Sequence, residues 1–390
     1  MVAVEPIPIY VAQLPRAEVL LPYLRQIDAN AQYTNRGPLV ALLEARMAGA
    51  LGLPVGSVTL AANGTTALQA AILAAAGRAR PGRMQALLPG YTFVATAHAA
   101  EACGYQVKFV DVSAATWAMD PVAMLDRPDL DRVGVVIPVA PYGAAFDYAG
   151  WVQFQNRTQI PVVIDAAASF EAIARQPCCI TAEVPVTLSL HATKAFTTAE
   201  GGAILWRDGA GMQRAVAALG FGLTGEEHRW VNGPGLNGRL SEYHAAIGLA
   251  GLDAADRTAA ERTRLHDAYK AAAVRAGLDA ACLVSWPEIG SNYALVEASS
   301  LEAAERLIAS FAAAGVTVRR WYGLGLHREP FFAADCDGSL PNTESLGDRI
   351  IGLPVYPGMG ASQIDRVLQV LAADAASAGP SPRSRMSRFG

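Results

Sequence analysis

Val186-Thr187-Leu188-Ser189-Leu190-His191-Ala192-Thr193-Lys194-Ala195-Phe196-Thr197-Thr198-Ala199-Glu200-Gly201-Gly202-Ala203-Ile204-Leu205-Trp206 is the stretch from which the fold can be read. Two apolar runs, Val186 to Leu190 and Gly202 to Trp206, lack clean polar alternation, as strands covered on both faces do. The segment His191 to Gly201 between them is short for a parallel crossover, which takes about a dozen or more residues, so one of the two strands is expected to run antiparallel. Upstream, similar runs recur at Val58 to Ala61, Met84 to Leu88, Tyr105 to Val110, Val133 to Val139 and Pro161 to Ile164, separated by longer helical or loop segments. They predict an α/β architecture with a mostly parallel seven-stranded sheet between helices. Lys194 lies just past a strand end, where loops on a rigid scaffold carry chemistry.

Beyond the sheet, Ala245 to Ala276 reads as one long charged helix, with Arg257, Glu261, Arg262 and Arg264 among alanines and leucines. Cys282 to Val296, a helix over Leu301 to Ala314, a strand at Val316 to Arg319 and a helix over Ser362 to Ala373 predict a smaller α+β unit. The expected division is a large domain over 1–250 with an N-terminal arm, a small domain over 251–376, and a disordered tail over 377–390 rich in Ser, Pro and Arg.

A chain of 390 residues with 52% hydrophobic content can bury a sizeable core. The net charge of −4 gives no reason to expect nucleic acid or an anionic membrane as partner. No window reaches the roughly 18 apolar residues of a spanning helix, and Met1 to Leu14 lacks a signal-peptide pattern, so a cytoplasmic location is expected. Five cysteines without a CxxC pair fit neither a disulfide framework nor a zinc cage. The six histidines show no i, i+4 pairing, so no metal site is expected.

Four motifs carry chemistry. Asn63-Gly64-Thr65-Thr66-Ala67-Leu68 follows a strand and opens a helix at Ala67 to Ala76; glycine, two hydroxyls and a helix N-terminus make a phosphate cradle, although taken alone an ordinary helix cap reads as well. Pro89-Gly90-Tyr91-Thr92-Phe93-Val94-Ala95-Thr96 offers Phe93 as a ring that could lie on a planar ligand, against the equal alternative of core packing. Asp165, ending Val162-Val163-Ile164-Asp165, is a carboxylate at the end of a buried strand, where it needs a partner; a pyridinium N–H would serve, and helix capping is the plain alternative. Lys194 carries an amine with a reference pKa of about 10.4, usable in Schiff-base chemistry only where the pocket favours it. Gly220-Phe221-Gly222-Leu223-Thr224-Gly225 matches GxGxxG but follows a helical pattern, Met212 to Leu219, rather than a strand, so it is read as a mobile loop and not a dinucleotide site.

In this order the motifs resemble those of fold type I pyridoxal phosphate (PLP) enzymes. The wording narrows the resemblance to nucleotide-sugar aminotransferases of the DegT/DnrJ/StrS type over nearly the whole chain. The matching segments are Tyr33 to Pro38, Asn63 to Leu68, Pro89 to Thr96, Ile164 to Ala167, Ser189 to Gly202, Gly235 to Glu242, Trp321-Tyr322 with His327, and Leu353 to Gly358. The resemblance implies that Gly64, Thr65, Thr66 and Ser189 hold the cofactor phosphate, Phe93 stacks on its ring, Asp165 pairs with the ring nitrogen and Lys194 bonds the aldehyde. It further implies that Asn237 reaches the phosphate of a neighbouring subunit, that Arg239, Tyr322 and His327 lie near the sugar, and that the assembly is a homodimer with composite sites. The bland alternatives are an interface salt bridge for Arg239 and a capped loop histidine for His327. Glutamate would be the amino donor, a nucleotide-linked keto-deoxy sugar the acceptor, and pyridoxamine phosphate the form that carries the amino group between them.

Two departures stand out. Ala168 occupies the position three residues after the aspartate where the family usually has Gln or His, and Trp321-Tyr322-Gly323-Leu324-Gly325-Leu326-His327 has glycines in place of two prolines. Competing functions are amination of a keto-cyclitol or other keto ring, a PLP-dependent sugar dehydratase (which would carry histidine in place of Lys194), and a non-catalytic sensor that kept the fold.

Overall fold

In the computed structural model, which describes residues 5–144, 146–225, 228–278, 283–284, 290–333 and 338–378, each apolar run between Val58 and Trp206 contributes a strand. These are β1 (Val58–Ala61), β2 (Gln85–Pro89), β3 (Gln106–Val110), β4 (Val133–Val136), β5 (Ile164–Asp165), β6 (Val186–Ser189) and β7 (Gly202–Leu205). They form two sheets ordered β1-β7-β6-β5 and β3-β2-β4. Parallel bridges Val136–Val162 and Val139–Asp165 join β4 and its continuation to β5 and the residues before it, so the two sheets meet edge to edge. Strand β7 runs antiparallel to both β1 and β6, whereas β2 pairs in parallel with β3 and β4, and β5 with β6. The short His191 to Gly201 connection thus acts as the sequence required, with Ser189 registered on Gly202.

Both faces of the sheet are buried, and the two-residue period sorts their side chains. Leu87 and Val136 enter one core; Ala86, Leu88, Val135 and Ile137 enter the other. In the second core the helix Gly64–Ala75 presents Ala67, Ala70, Ala71 and Ala74, whose short side chains let it lie close to the helix Gly209–Leu219. The helix Pro38–Ala50 starts on a buried acid: Glu242 accepts the N–H of Leu39 at 2.7 Å and of Val40 at 2.9 Å. These are first-turn donors that no carbonyl of the helix can reach, and the helix dipole favours an anion there. Glu242→Ala would strand both donors in a dry core, with an expected loss of about 3 kcal/mol of stability, read from denaturant unfolding.

A third core gathers Ile7, Leu265, Tyr269, Phe311, Ile351 and Val367 around the antiparallel strands β10 (Leu283–Val284), β11 (Ala294–Glu297) and β12 (Ile350–Leu353). The preceding pair, β8 (Leu223–Thr224) and β9 (Trp230–Val231), is a short hairpin. Ile7 is tied in by its N–H to Gly315 O at 2.8 Å and by its carbonyl to Thr317 N at 2.9 Å.

The structure departs from the sequence reading in four places. The expected helix from Ala245 to Ala276 is two, Glu242–Asp253 and Ala255–Arg275, broken at Ala254 with φ −109° and ψ 9°. The first is held at its end by Asp253, which accepts from Arg46 at 2.8 Å and Tyr23 at 2.6 Å, and the second turns into the third core. Val316 to Arg319 forms isolated bridges instead of a strand, because Val316 pairs with Ile7 and Arg319 with Gly352. Strand β5 begins at Ile164, Val162 making only a bridge. The GxGxxG segment leads into the β8–β9 hairpin. Cys282, Cys336 and residues 379–390 of the expected tail lie outside the described residues. Among the described residues no helix is long and apolar enough to cross a membrane, and no group of acidic, His or Cys side chains is placed to hold a metal.

Candidate active site

The carboxyl ends of β1, β2, β5 and β6 and the start of β7 meet at one edge of the sheet, where open α/β sheets bind ligands. Beyond β1, Asn63 Oδ1 accepts the N–H of Thr66 at 2.8 Å and caps the helix Gly64–Ala75. A Cβ on Gly64 would stand 2.9 Å from Ser189 Cβ, and one on Gly202 would fall 2.4 Å from the Asn63 carbonyl oxygen. Glycine at both positions therefore lets the helix N-terminus press against Ser189. This sets the helix N-terminus, with Thr65 and Thr66 in its first turn, against the Ser189 hydroxyl, an arrangement that suits an anion such as a phosphate.

Asp165, at the end of β5, is buried. Its Oδ2 accepts from Thr96 Oγ1 at 2.8 Å and its Oδ1 from Ala167 N at 3.1 Å, while Thr92 Oγ1 lies 2.9 Å from Thr96 Oγ1. Burial pushes this carboxyl above the usual range, opposed by the two hydrogen bonds and by the attraction of Lys194. Lys194 is half-buried, and its Nζ donates to Tyr293 Oη at 3.1 Å. Its loop is pinned by Thr198 N to Leu190 O at 2.9 Å, and by Asn292 Nδ2 to Thr193 O at 2.8 Å. Phe93 sits in the same turn as Thr92 and Thr96 with its side chain exposed, so its ring is free to meet a planar ligand.

The remaining residues singled out from the sequence fall into three groups. Arg239 donates to Asn237 Oδ1 at 2.9 Å and to Asn35 Oδ1, with its guanidinium 4.9 Å from the centre of the Phe221 ring. Gly238 between them abuts Thr66, where an added Cβ would come within 2.6 Å of Thr66 Cγ2; this segment flanks the cradle from the same chain. Tyr322 stacks on Tyr142 at 4.6 Å, meets Tyr91 edge-on at 5.0 Å and accepts the Tyr142 N–H at 3.1 Å. Burial pushes its phenol well above the ordinary range, reinforced by Tyr293, Tyr142 and Asp165. The His327 side chain is buried, with Nε2 3.3 Å from Glu344 Oε1, while its Nδ1 faces Gly90 and has no hydrogen-bond partner among the described residues.

Thr96 and Tyr293 were missed as site residues. Thr96 closes the Pro89 to Thr96 motif as the second residue of the helix after β2, and its hydroxyl there was the available signal. Tyr293 touches Lys194 across 99 positions of sequence, and nothing local marks it.

Residues 16–372 match the model of the DegT/DnrJ/EryC1/StrS aminotransferase family. The chain belongs to that family. Its relatives include Protein Mb3436c of Mycobacterium bovis, 30% identical over 90% of this chain and 86% of that one. The UDP-2-acetamido-2-deoxy-3-oxo-D-glucuronate aminotransferase of Pseudomonas aeruginosa is 29% identical over 89% of this chain and 95% of its own. Among solved structures, a putative PLP-dependent aminotransferase from Bacillus cereus superposes with a TM-score of 0.83 at 27% identity, covering 94% of this chain and 100% of that one. The fold is that of the type I PLP transferases, and PLP is the family's cofactor. The side chains present fit that group: an anion cradle, a buried carboxylate and an amine share one edge of the sheet.

Proposed function

We propose that the protein transfers an amino group from glutamate to a keto-deoxy sugar carried on a nucleotide, with PLP as cofactor. The observation that carries this reading is the convergence of Lys194, Asp165 and the Gly64–Ser189 cradle at one sheet edge. Its direction toward nucleotide sugars is supported by the Pseudomonas aeruginosa relative, named for a UDP-sugar substrate. When bound, PLP supplies an aldehyde that can carry the amino group and a protonated ring that draws electrons from the reacting carbon. In this reading Thr65, Thr66 and Ser189 hold the phosphate and Phe93 covers one face of the ring. Asp165 keeps the ring nitrogen protonated, and Lys194 bonds the aldehyde at rest. The Lys194 amine, when free, would accept a proton at the donor's α-carbon and hold it for return.

In this reading Arg239, Tyr322 and His327 line the acceptor pocket. Asn237 is assigned to a second copy's phosphate, in a homodimer. Exposed Tyr33, Phe221, Trp230 and Tyr243 support such an assembly, because apolar area around Asn35 and Arg239 would be covered by the partner.

A panel of nucleotide-linked keto sugars and keto-cyclitols, each incubated with glutamate, tests the reading by release of 2-oxoglutarate. Release with a keto-sugar nucleotide is expected. Release with cyclitols alone would reassign the acceptor, and binding without any half-reaction would make the protein a sensor.

A further inference from the structure

The sequence leaves a gap beside the site: Ala168 stands where a polar side chain was expected. In the fold, Ala168 shares a buried cluster with Tyr293, Tyr142 and Tyr91. The phenol of Tyr293 lies in this cluster with its oxygen 3.1 Å from Lys194 Nζ. We propose that Tyr293 is a positioning residue for the Lys194 amine, its hydroxyl holding the protonated amine in place between proton transfers.

The support around Tyr293 is rigid. Its ring meets Tyr142 at 5.2 Å and Trp321 at 5.5 Å, both edge-on. The backbone leading to it is tied at successive residues: Gly290 N to Tyr142 O at 2.7 Å, Ser291 N to Glu171 Oε2 at 2.8 Å, and Asn292 Nδ2 to Thr193 O at 2.8 Å. The last bond fastens the Tyr293 segment to the residue before Lys194. A lysine has four rotatable carbons and loses much rotamer freedom when fixed, whereas a packed tyrosine has its oxygen already in place. Ala168 and Tyr293 belong to the same buried cluster, and there the polar atom that meets Lys194 comes from the distant Tyr293 segment.

The inference rests on the aminotransferase reading. The amine accepts a proton from the donor's α-carbon, becomes an ammonium, donates to Tyr293 Oη, and returns the proton to the cofactor with no net change. An ammonium without a fixed acceptor would sample other rotamers between the two steps, and misplacement by about 1 Å can cost on the order of a hundredfold in rate.

Tyr293→Phe keeps the ring packing and removes only the oxygen. In the PLP-loaded protein, kcat with glutamate is expected to fall about tenfold or more with KM within about twofold, and the isotope effect with α-deuterated glutamate to rise. A second readout uses the cofactor-free protein. Trinitrobenzenesulfonate labelling of Lys194, measured by peptide mass against exposed Lys270, is expected to quicken about threefold or more in Y293F, because the ammonium has lost its acceptor. Tyr142→Phe, which removes a hydroxyl bonded to Tyr91, should leave the Lys194 labelling rate as it is. An unchanged labelling ratio in Y293F, or equal acceleration in Y142F, would overturn the proposal. Wild-type protein that neither binds PLP nor turns over would sink the functional reading instead, and the labelling arm would still decide the role of Tyr293.

Discussion

Lys194→Ala is expected to abolish transamination, lowering turnover by about 10⁴-fold or more, while the protein stays folded. The size follows from losing two roles together: the covalent hold on the aldehyde, and the acid–base group, itself worth roughly 10² to 10⁴. No other lysine can substitute, since Lys108 belongs to β3 and Lys270 is exposed on the helix Ala255–Arg275. The fold should tolerate the change because Lys194 is half-buried, and its loop is held by backbone bonds and by Asn292 rather than by its own side chain. Borohydride treatment of PLP-loaded protein provides the check. The wild type should carry a pyridoxyl group on the Lys194 peptide and the variant none; a label on another residue would remove Lys194 from its place in the mechanism.

The sheet was legible because its signals are local. Runs such as Met84 to Leu88 announce two-sided burial by composition alone, and the short His191 to Gly201 segment forces β7 to turn back. Asn63-Gly64 was legible as a cap for the same reason, the donor and acceptor lying three residues apart. What could not be read are pairings that only the closed fold makes. Asp165 announced its need for a partner, and the Thr96 hydroxyl that meets it lies 69 positions away, so only the fold joins the two. The break at Ala254 follows Asp253, which the fold ties to Arg46 and Tyr23, and no proline marks it. His327 is tied to Glu344 through Nε2, a contact that only the fold makes. Tyr293 is the clearest case, a residue with no motif of its own that folding delivers to the reactive amine.

Asp165→Asn is expected to change how stability depends on pH and to lower activity. Burial raises the Asp165 carboxyl above its unfolded value, with Thr96, Ala167 and Lys194 offsetting only part of the shift. A raised carboxyl contributes stability that is complete below the unfolded pKa, about 3.9, and is lost as pH rises through the folded value. The cofactor-free wild type therefore loses stability to this charge as pH rises. Asparagine carries no charge and can offer its oxygen to the Thr96 hydroxyl, but its Nδ2 donates and cannot replace the oxygen that accepts the Ala167 N–H. The Tm of the cofactor-free variant relative to wild type should therefore rise from pH 4.5 to pH 7, the wild type alone losing stability over that range. With PLP bound the charge gains a partner. The carboxylate that is costly in the empty pocket is the group that would keep the ring nitrogen protonated, so turnover should fall about a hundredfold or more in the variant, and the thermal gain on adding PLP should be smaller. Scanning both proteins at pH 4.5 and 7, with and without PLP, separates the terms. A Tm difference that does not change between pH 4.5 and 7 would mean that Asp165 titrates alike in the folded and unfolded chain, and the case for a carboxylate held in wait for a cationic ring would fail.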